Sequence, residues 1–338
     1  MGARRLADAH QGLDGRHPVL LSQRLPHHAP DACGSRAART HLAPRLLPPP
    51  DSLYLVLAIA IILSLAGVLP SEMSPVGALS GGTFWANYYI VFEGRTGLPA
   101  AMNALWSLAV EEHFYLLFPL VYIGLRRLVP RPLHQVIVLV AVCLTIMLWR
   151  VYLSSHGASW DRLYLSTDTR ADAILWGSIM AIGANPMYRE IRAPRQRWAL
   201  PLILVGSFVA FYAVSLAPND FGMTVGYTLQ SIALFGIFAA VILAPDSIAG
   251  RVLNWRPVAF LGVLSYTLYL AHRPALELAE RYLPLPHLAA VAVGVVAAVA
   301  FAWAVHIVIE KPLERARKKI SHTSPLPENA QKTPSPLP

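Results

Sequence analysis

The chain has 338 residues, of which 55% are hydrophobic and only 14% charged, and its formal net charge is +9. In soluble globular domains about a quarter of the residues are charged, so the composition excludes an ordinary soluble protein. The basic residues lie in alternate connections between apolar runs, which indicates membrane topology and anionic lipid rather than nucleic acid. Two cysteines are too few for a disulfide framework.

Residues 1–50 have a composition of their own. They are rich in Arg, His, Pro and Ala and contain no Phe, Tyr, Trp, Ile, Lys, Glu or Asn. Such a segment cannot bury a core, so we expect disorder, with a wrong reading frame that joins the true frame near 48–53 as the alternative. Residues 51–320 are expected to form a membrane domain, and the Pro- and Ser-rich residues 321–338 a disordered tail.

Eight apolar runs follow, each long enough to cross about 30 Å of hydrocarbon as a helix. They predict spans at 52–69, 105–125, 135–153, 168–184, 199–217, 225–243, 258–279 and 287–309. The alternation of basic connections places both termini in the cytoplasm by the positive-inside rule. The sequence therefore predicts an all-α, polytopic membrane helical bundle with about eight transmembrane helices.

The second apolar run, which contains LWSLAVEEHFYLLFPL, carries the adjacent acidic residues Glu111 and Glu112. An ionised carboxylate inside a membrane is costly unless it is paired, so the two form a candidate functional site. Arg150, Arg170 and Arg273 also lie in or near apolar runs and are candidate partners. We expect Arg170 to reach another helix and face the acidic pair; the alternative is a purely structural ion pair.

The segment STDTRADAILWG opens the fourth predicted span. Asp168 and Asp172 are four residues apart and share one helical face, while Arg170 points elsewhere. The alternative interpretation is an exposed helix start with Asp168 as its cap.

The segment LGVLSYTLYLAHRPALELAE places Ser265, Tyr269 and His272 on one polar stripe of a membrane helix. Pro274 is expected to interrupt that helix and free backbone carbonyls. Packed hydrogen-bonding residues without a chemical role are the alternative. A last polar segment, IVIEKPLERARKK, is interpreted as a simple helix end followed by a basic stop.

Topology relates these segments to one another. By the charge rule the connection 70–104 lies outside, which puts the acidic pair in the outer half of its span. Residues 169–172 and 272–273 then lie toward the same face. We therefore expect the three polar clusters to converge near the extracytoplasmic side and form one reactive pocket.

At these residues the chain resembles the acyltransferase-3 family of integral membrane O-acyltransferases. WSLAVEEHFYLLFPL is similar to the family signature WSLAVEEQFYLLWP, and YLSTDTRADAILWGSIMA, FLGVLSYTLYLAHRPAL and IEKPLER resemble later blocks in the same order. The resemblance implies transfer of an acyl group, commonly acetyl, from acyl-CoA to a hydroxyl of lipopolysaccharide, exopolysaccharide, peptidoglycan or a similar envelope acceptor. It implies acyl-CoA as co-substrate, no bound cofactor or metal, a glycan or glycolipid acceptor, and a place in the bacterial inner membrane.

The chain also departs from the family pattern. The family usually has about ten spans, with a catalytic histidine in the first, whereas hydropathy gives about eight here. No apolar span precedes residue 52, and His113 stands where the family favours Gln. We therefore expect an N-terminally truncated or frame-disrupted member. The alternatives are an inactive remnant of the family and a proton-coupled transporter or flippase.

Acyl transfer needs a base for the attacking hydroxyl and donors for the oxyanion, and Arg170, Tyr269 or Ser265 could supply the donors. The candidate catalytic residues are Glu111, Glu112, Arg170 and His272. The candidate substrate-binding residues are Trp106, Ser107, Asp172, Ser265, Tyr266 and Tyr269.

Overall fold

The computed structural model describes residues 51–183, 194–244 and 246–315, and these ranges contain helices and no strand. The all-α prediction is thus confirmed. The predicted disorder of residues 1–50 and 321–338 falls outside the described residues and stays a prediction.

The long helices match the eight predicted spans, with ends that differ by a few residues. In chain order, the helices of the described ranges that matter below are α1 (Asp51–Leu65), α2 (Pro75–Gly82), α3 (Ala86–Glu93), α4 (Leu105–Leu128), α5 (Pro132–Ser155), α6 (Trp160–Leu165), α7 (Thr167–Gly183), α8 (Pro194–Ser215), α9 (Tyr227–Leu243), α10 (Ile248–Leu253), α11 (Arg256–Tyr282) and α12 (His287–Val305). A π-helical turn, Gly222–Gly226, precedes α9, and another, His306–Glu310, follows α12.

Within the described residues, four stretches are long and apolar enough to cross a membrane: Met102–Leu128, Pro132–Ser155, Asn219–Leu243 and His287–Arg315. Ser52–Leu65 and Ala199–Ser215 are shorter apolar helices. Helices α7 and α11 match predicted spans but carry several charged residues. Charged side chains at membrane depth need partners, so these two helices are the ones to inspect for a site.

Two apolar clusters hold the helices together. One contains Leu53, Ile90, Leu108, Leu165 and Leu270, which come from α1, α3, α4, α6 and α11. The other joins α4, α5 and α7 through residues that include the buried thiol of Cys143. The connection between α1 and α4, with its short helices α2 and α3, is thus packed against the bundle.

Pro274 does not interrupt its helix. Helix α11 runs without a break from Arg256 to Tyr282, and Pro274 is buried within it. The predicted interruption was therefore wrong. Prolines are tolerated inside membrane helices where neighbouring helices cover the disturbed backbone, and α12 packs along α11 here.

Candidate active site

A buried ion pair lies where α5, α7 and α9 meet. Both Nη atoms of Arg150 are 2.9 Å from the two carboxylate oxygens of Asp172. The guanidinium also donates to the carbonyls of Thr169 and Thr224 and to the hydroxyl of Thr228. These bonds use all five donors of the arginine, which is 0% exposed, while Asp172 is 1% exposed. Both acceptor oxygens of Asp172 are thus engaged, which favours an anchoring role over the predicted substrate contact.

Arg170 faces aromatic rings. Its guanidinium carbon lies 4.1 Å from the ring centre of Tyr227 and 5.3 Å from that of Tyr164. The carboxylate of Asp172 interacts with it electrostatically. These ring contacts join α7 to α6 and α9, and our expectation that Arg170 also faces the acidic pair stays a prediction.

The acidic pair lies between α4 and α11. Glu111 and Glu112 are partly buried and interact electrostatically with each other and with the hydroxyl of Tyr266. The Tyr269 hydroxyl is 2.5 Å from the Ser107 hydroxyl and also lies within electrostatic reach of Glu111. The structure thus brings two hydroxyl-bearing residues of α11 to the beginning of α4, next to the carboxylates.

His272 is close to this group. Its Nδ1 is 2.6 Å from the backbone carbonyl of Tyr269, and the two rings are 5.6 Å apart. Because a carbonyl only accepts hydrogen bonds, this contact assigns a proton to Nδ1. Ser265 is exposed on α11.

The predicted site residues therefore form two neighbouring groups. Tyr266 and Tyr269 lie within electrostatic reach of the acidic pair, and Ser107 and His272 contact Tyr269. Arg170 and Asp172 belong to the buried network of α7 and α9. Trp106 lies between the two groups, since its ring is 4.8 Å from that of Tyr164, which in turn contacts Arg170. Whether these residues act on substrate stays a prediction.

Asp168 is not a helix cap. Helix α7 begins one residue earlier, and the Asp168 carboxylate is bound by both Nη atoms of Arg162, at 2.9 and 2.5 Å. The indole nitrogen of Trp149 donates to it at 2.8 Å. The pair is partly exposed and ties α7 to the segment before it.

The IEKP segment is more than a helix end. The Thr267 hydroxyl donates to Oε1 of Glu310 at 2.6 Å, and Nδ1 of His306 lies 2.8 Å from Oε2 of the same carboxylate. Thr267 is buried in α11, so Glu310 joins the end of the last span to that helix. No local spacing signals a contact between residues 43 positions apart.

A histidine–threonine contact was also missed. His113 Nδ1 lies 2.8 Å from Oγ1 of Thr167, and the Asn87 amide donates to the same oxygen at 3.0 Å. The available signal was the histidine itself, which departs from the family signature. The contact forms only where α3, α4 and α7 pack together, and no local sequence pattern predicts that packing.

A cavity away from these residues lies at the other end of the same helices. It has a volume of about 420 Å³ and opens between the far ends of α4, α5 and α7, and its lining includes Phe118, Tyr122, Arg126, Gln135 and Ser178. Phe118, the lining residue of α4 that is nearest to Glu111 in sequence, lies about two helical turns from it, at 3.6 residues a turn.

Comparison with known proteins places these residues in a family context. A family model described as an acyltransferase domain, Acyl_transf_3, matches residues 39–307. YrhL of Bacillus subtilis is 30% identical over 213 residues, which are 60% of this chain and 33% of the relative. The peptidoglycan O-acetyltransferase OatA of Listeria monocytogenes is 28% identical over 212 residues, or 60% of this chain and 34% of OatA. The O-acetyltransferase OatA of Staphylococcus aureus is 30% identical over 187 residues, or 54% and 30%.

The chain thus spans about a third of the length of these curated relatives. No solved structure matches it.

Proposed function

Because the chain belongs to the acyltransferase-3 family, we propose that it is a membrane-bound O-acyltransferase. It moves an acyl group, acetyl in the first instance, from acyl-CoA to a hydroxyl of a cell-envelope carbohydrate. The names of two relatives support O-acetylation, and the Listeria relative's name gives peptidoglycan as its acceptor. The proposed location is the bacterial inner membrane with both termini in the cytoplasm, supported by the alternation of basic connections.

The observation that carries the proposal is the meeting of α4 and α11. The Tyr269 and Ser107 hydroxyls are 2.5 Å apart, with the Glu111 carboxylate and the Tyr266 hydroxyl in electrostatic reach. Acyl transfer passes through a tetrahedral intermediate with a negative oxygen, and preorganised hydroxyl donors stabilise such an oxygen. Carboxylates next to them can hold a base or an attacking hydroxyl in position.

The chemistry follows from these groups. The acceptor hydroxyl gives its proton to a base, for which His272 and the acidic pair are the candidates. Its oxygen attacks the thioester carbonyl. The Tyr269 and Ser107 hydroxyls, which contact each other and the Ala104 carbonyl before the reaction, turn to donate to the resulting oxyanion. The carbon–sulfur bond then breaks, and the thiolate leaves with the proton.

The test is transfer of radioactive acetyl from acetyl-CoA to envelope glycan in a strain that lacks its own O-acetylation. The full chain should restore label, and Tyr269→Phe should lower the rate roughly 100-fold, the usual effect of losing one oxyanion donor. Tyr282→Phe is the matched control, because its hydroxyl donates to the carbonyl of Val68 instead.

No label with the full chain would contradict the proposal, and uptake of a solute driven by the proton gradient would favour a transporter. Equal rates for Tyr269→Phe and Tyr282→Phe would leave acyl transfer standing but remove Tyr269 from the site.

A further inference from the structure

Thr167 is held in the geometry of an activated nucleophile. Its Oγ1 is 3.0 Å from Nδ2 of Asn87 and 2.8 Å from Nδ1 of His113. The amide nitrogen of Asn87 can only donate, so the threonine oxygen accepts from it. The threonine's own proton is then free to point along the short contact to the imidazole.

The imidazole is oriented by a third group. The Phe84 backbone, whose φ is +57° although the residue is not glycine, lies within hydrogen-bonding reach of the His113 ring. Such a backbone persists only where the surrounding structure imposes it. With the ring proton on Nε2, Nδ1 is the acceptor for Thr167. The rings of Trp85 and Tyr88 flank the imidazole at 5.6 and 6.1 Å.

Nucleophile, base and orienting group are the parts of covalent catalysis by hydroxyl side chains. His113 and Thr167 are both partly exposed. The arrangement does not depend on Glu111, Arg170 or His272.

The surroundings of Thr167 suit a negatively charged intermediate. Thr167 is the first residue of α7, a helix of 17 residues, whose first-turn N–H groups have no partner within the helix. The fully buried Ser166, next to Thr167 in the chain, carries a hydroxyl without a hydrogen-bond partner in the structure, and a hydroxyl can donate to a negative oxygen. Buried polar atoms are normally satisfied, so this hydroxyl indicates a polar ligand beside Thr167.

We propose that Thr167 carries the acyl group as a covalent ester between donor and acceptor, with His113 as its base. The inference rests on the proposed function for its donor, an acyl-CoA. Oγ1 of Thr167 attacks the thioester carbonyl carbon as its proton passes to Nδ1 of His113. The carbon–sulfur bond breaks, and the CoA thiolate leaves with that proton.

The second half of the reaction reverses these roles. The acceptor hydroxyl gives its proton to Nδ1 of His113, and its oxygen attacks the ester carbon. The bond to Oγ1 breaks, and Thr167 takes the proton back. The donor and the acceptor therefore need not be bound at the same time, and the kinetics are ping-pong.

The direct test is to trap the ester. The full chain, purified in lipid nanodiscs, is incubated with radioactive acetyl-CoA without acceptor and digested with trypsin. Cleavage after Arg162 and Arg170 releases residues 163–170, LYLSTDTR, in which mass spectrometry can locate the acetyl group. We expect acetate on Thr167, in a linkage cleaved by hydroxylamine.

Three variants give the controls. Thr167→Val removes the hydroxyl at nearly constant size and should abolish the label, while Thr167→Ser should retain it. Thr169→Val is the matched control, because it removes a hydroxyl of the same peptide that donates to the Ser166 carbonyl. It should label normally.

The base is tested through His113→Gln, which introduces the residue that the family signature favours. Gln can still hydrogen-bond Thr167 but cannot take its proton, so labelling should slow roughly 100-fold, the usual contribution of a general base. A structural tie between α4 and α7 would survive this change with unaltered labelling. Exchange of radioactive CoA into acetyl-CoA without acceptor should slow in parallel.

The outcomes separate the two proposals. Transfer to glycan without an ester on Thr167, or with full rates in Thr167→Val, would overturn the covalent carrier and leave the O-acyltransferase standing. Neither ester nor transfer would overturn both. An ester on Thr167 that is lost in Thr167→Val supports the carrier.

Discussion

Asp172→Asn keeps the size of the side chain and removes its charge. Among the described residues, Asp172 is the only charged group that the structure places within hydrogen-bonding distance of the Arg150 guanidinium. Arg150 is completely buried, so water cannot replace the lost carboxylate. The new amide also turns an N–H toward a group that only donates. The arginine charge is then left uncompensated inside the bundle.

Neutralising one partner of a buried ion pair costs about 3–5 kcal/mol. The lost hydrogen bond accounts for part of this cost, and the uncompensated charge accounts for the rest. Asp172 accepts three hydrogen bonds, two from Arg150 and one from Thr228. Asn can accept through only one oxygen, so one arm of the fork is lost, and a bond to a charged group is worth about 1.5–3 kcal/mol. We therefore expect a loss of about 3–5 kcal/mol in the free energy of unfolding.

The measurement is the free energy of unfolding in mixed detergent micelles, followed by tryptophan fluorescence. Asp168→Asn is the matched control, because Asp168 belongs to the same helix and is also bound by both Nη atoms of an arginine, Arg162. That pair is 25–40% exposed, and exposed pairs contribute about 0–1 kcal/mol. The double variant Arg150→Met with Asp172→Leu should be closer to the unaltered protein than Asp172→Asn is.

Equal losses for Asp172→Asn and Asp168→Asn would refute the reasoning, because burial would then have no effect on the pair. Normal stability together with lost acyl transfer would instead return Asp172 to the predicted substrate-binding role.

Glu112→Gln should lower acyl transfer roughly 100-fold while the protein still inserts, as membrane extraction can check; near-normal rates would count against the acidic pair. Gly294→Ala places a Cβ 2.9 Å from a backbone atom of α11, so overpacking should cost about 1–3 kcal/mol of unfolding free energy. Gly262→Ala, with no atom within 4 Å of the new Cβ, should be neutral or stabilising by up to about 1 kcal/mol, and equal effects would contradict the packing argument. Tyr269→Phe should cost about 0.5–1.5 kcal/mol of unfolding free energy through the lost contact to Ser107, and Ser107→Ala should add little to it; full additivity would argue against that bond.

The helices could be predicted from the sequence because each leaves a local signal. An apolar run of membrane length can satisfy its backbone groups only as a helix, whatever surrounds it. The predicted spans therefore match the observed helices within a few residues. The acidic pair was equally visible, because a carboxylate in such a run is anomalous by itself.

The partners of the charged residues could not be predicted in the same way. Arg150, Arg170 and Arg273 were all plausible partners for the acidic pair. The structure pairs Arg150 with Asp172 and turns Arg170 toward Tyr227. Charge signs say which groups attract each other, but only the packing of α5, α7 and α9 decides which of them meet.

By itself the sequence determined that this is a membrane helical bundle of the acyltransferase-3 type, since hydrophobicity, length and motif order are properties of the chain alone. Tertiary structure alone decided which polar side chains stand within 3 Å of each other, as His113 and Thr167 do. Those contacts join residues 54 positions apart, and hydrogen bonds act over a few ångströms, so they exist only once the helices have packed.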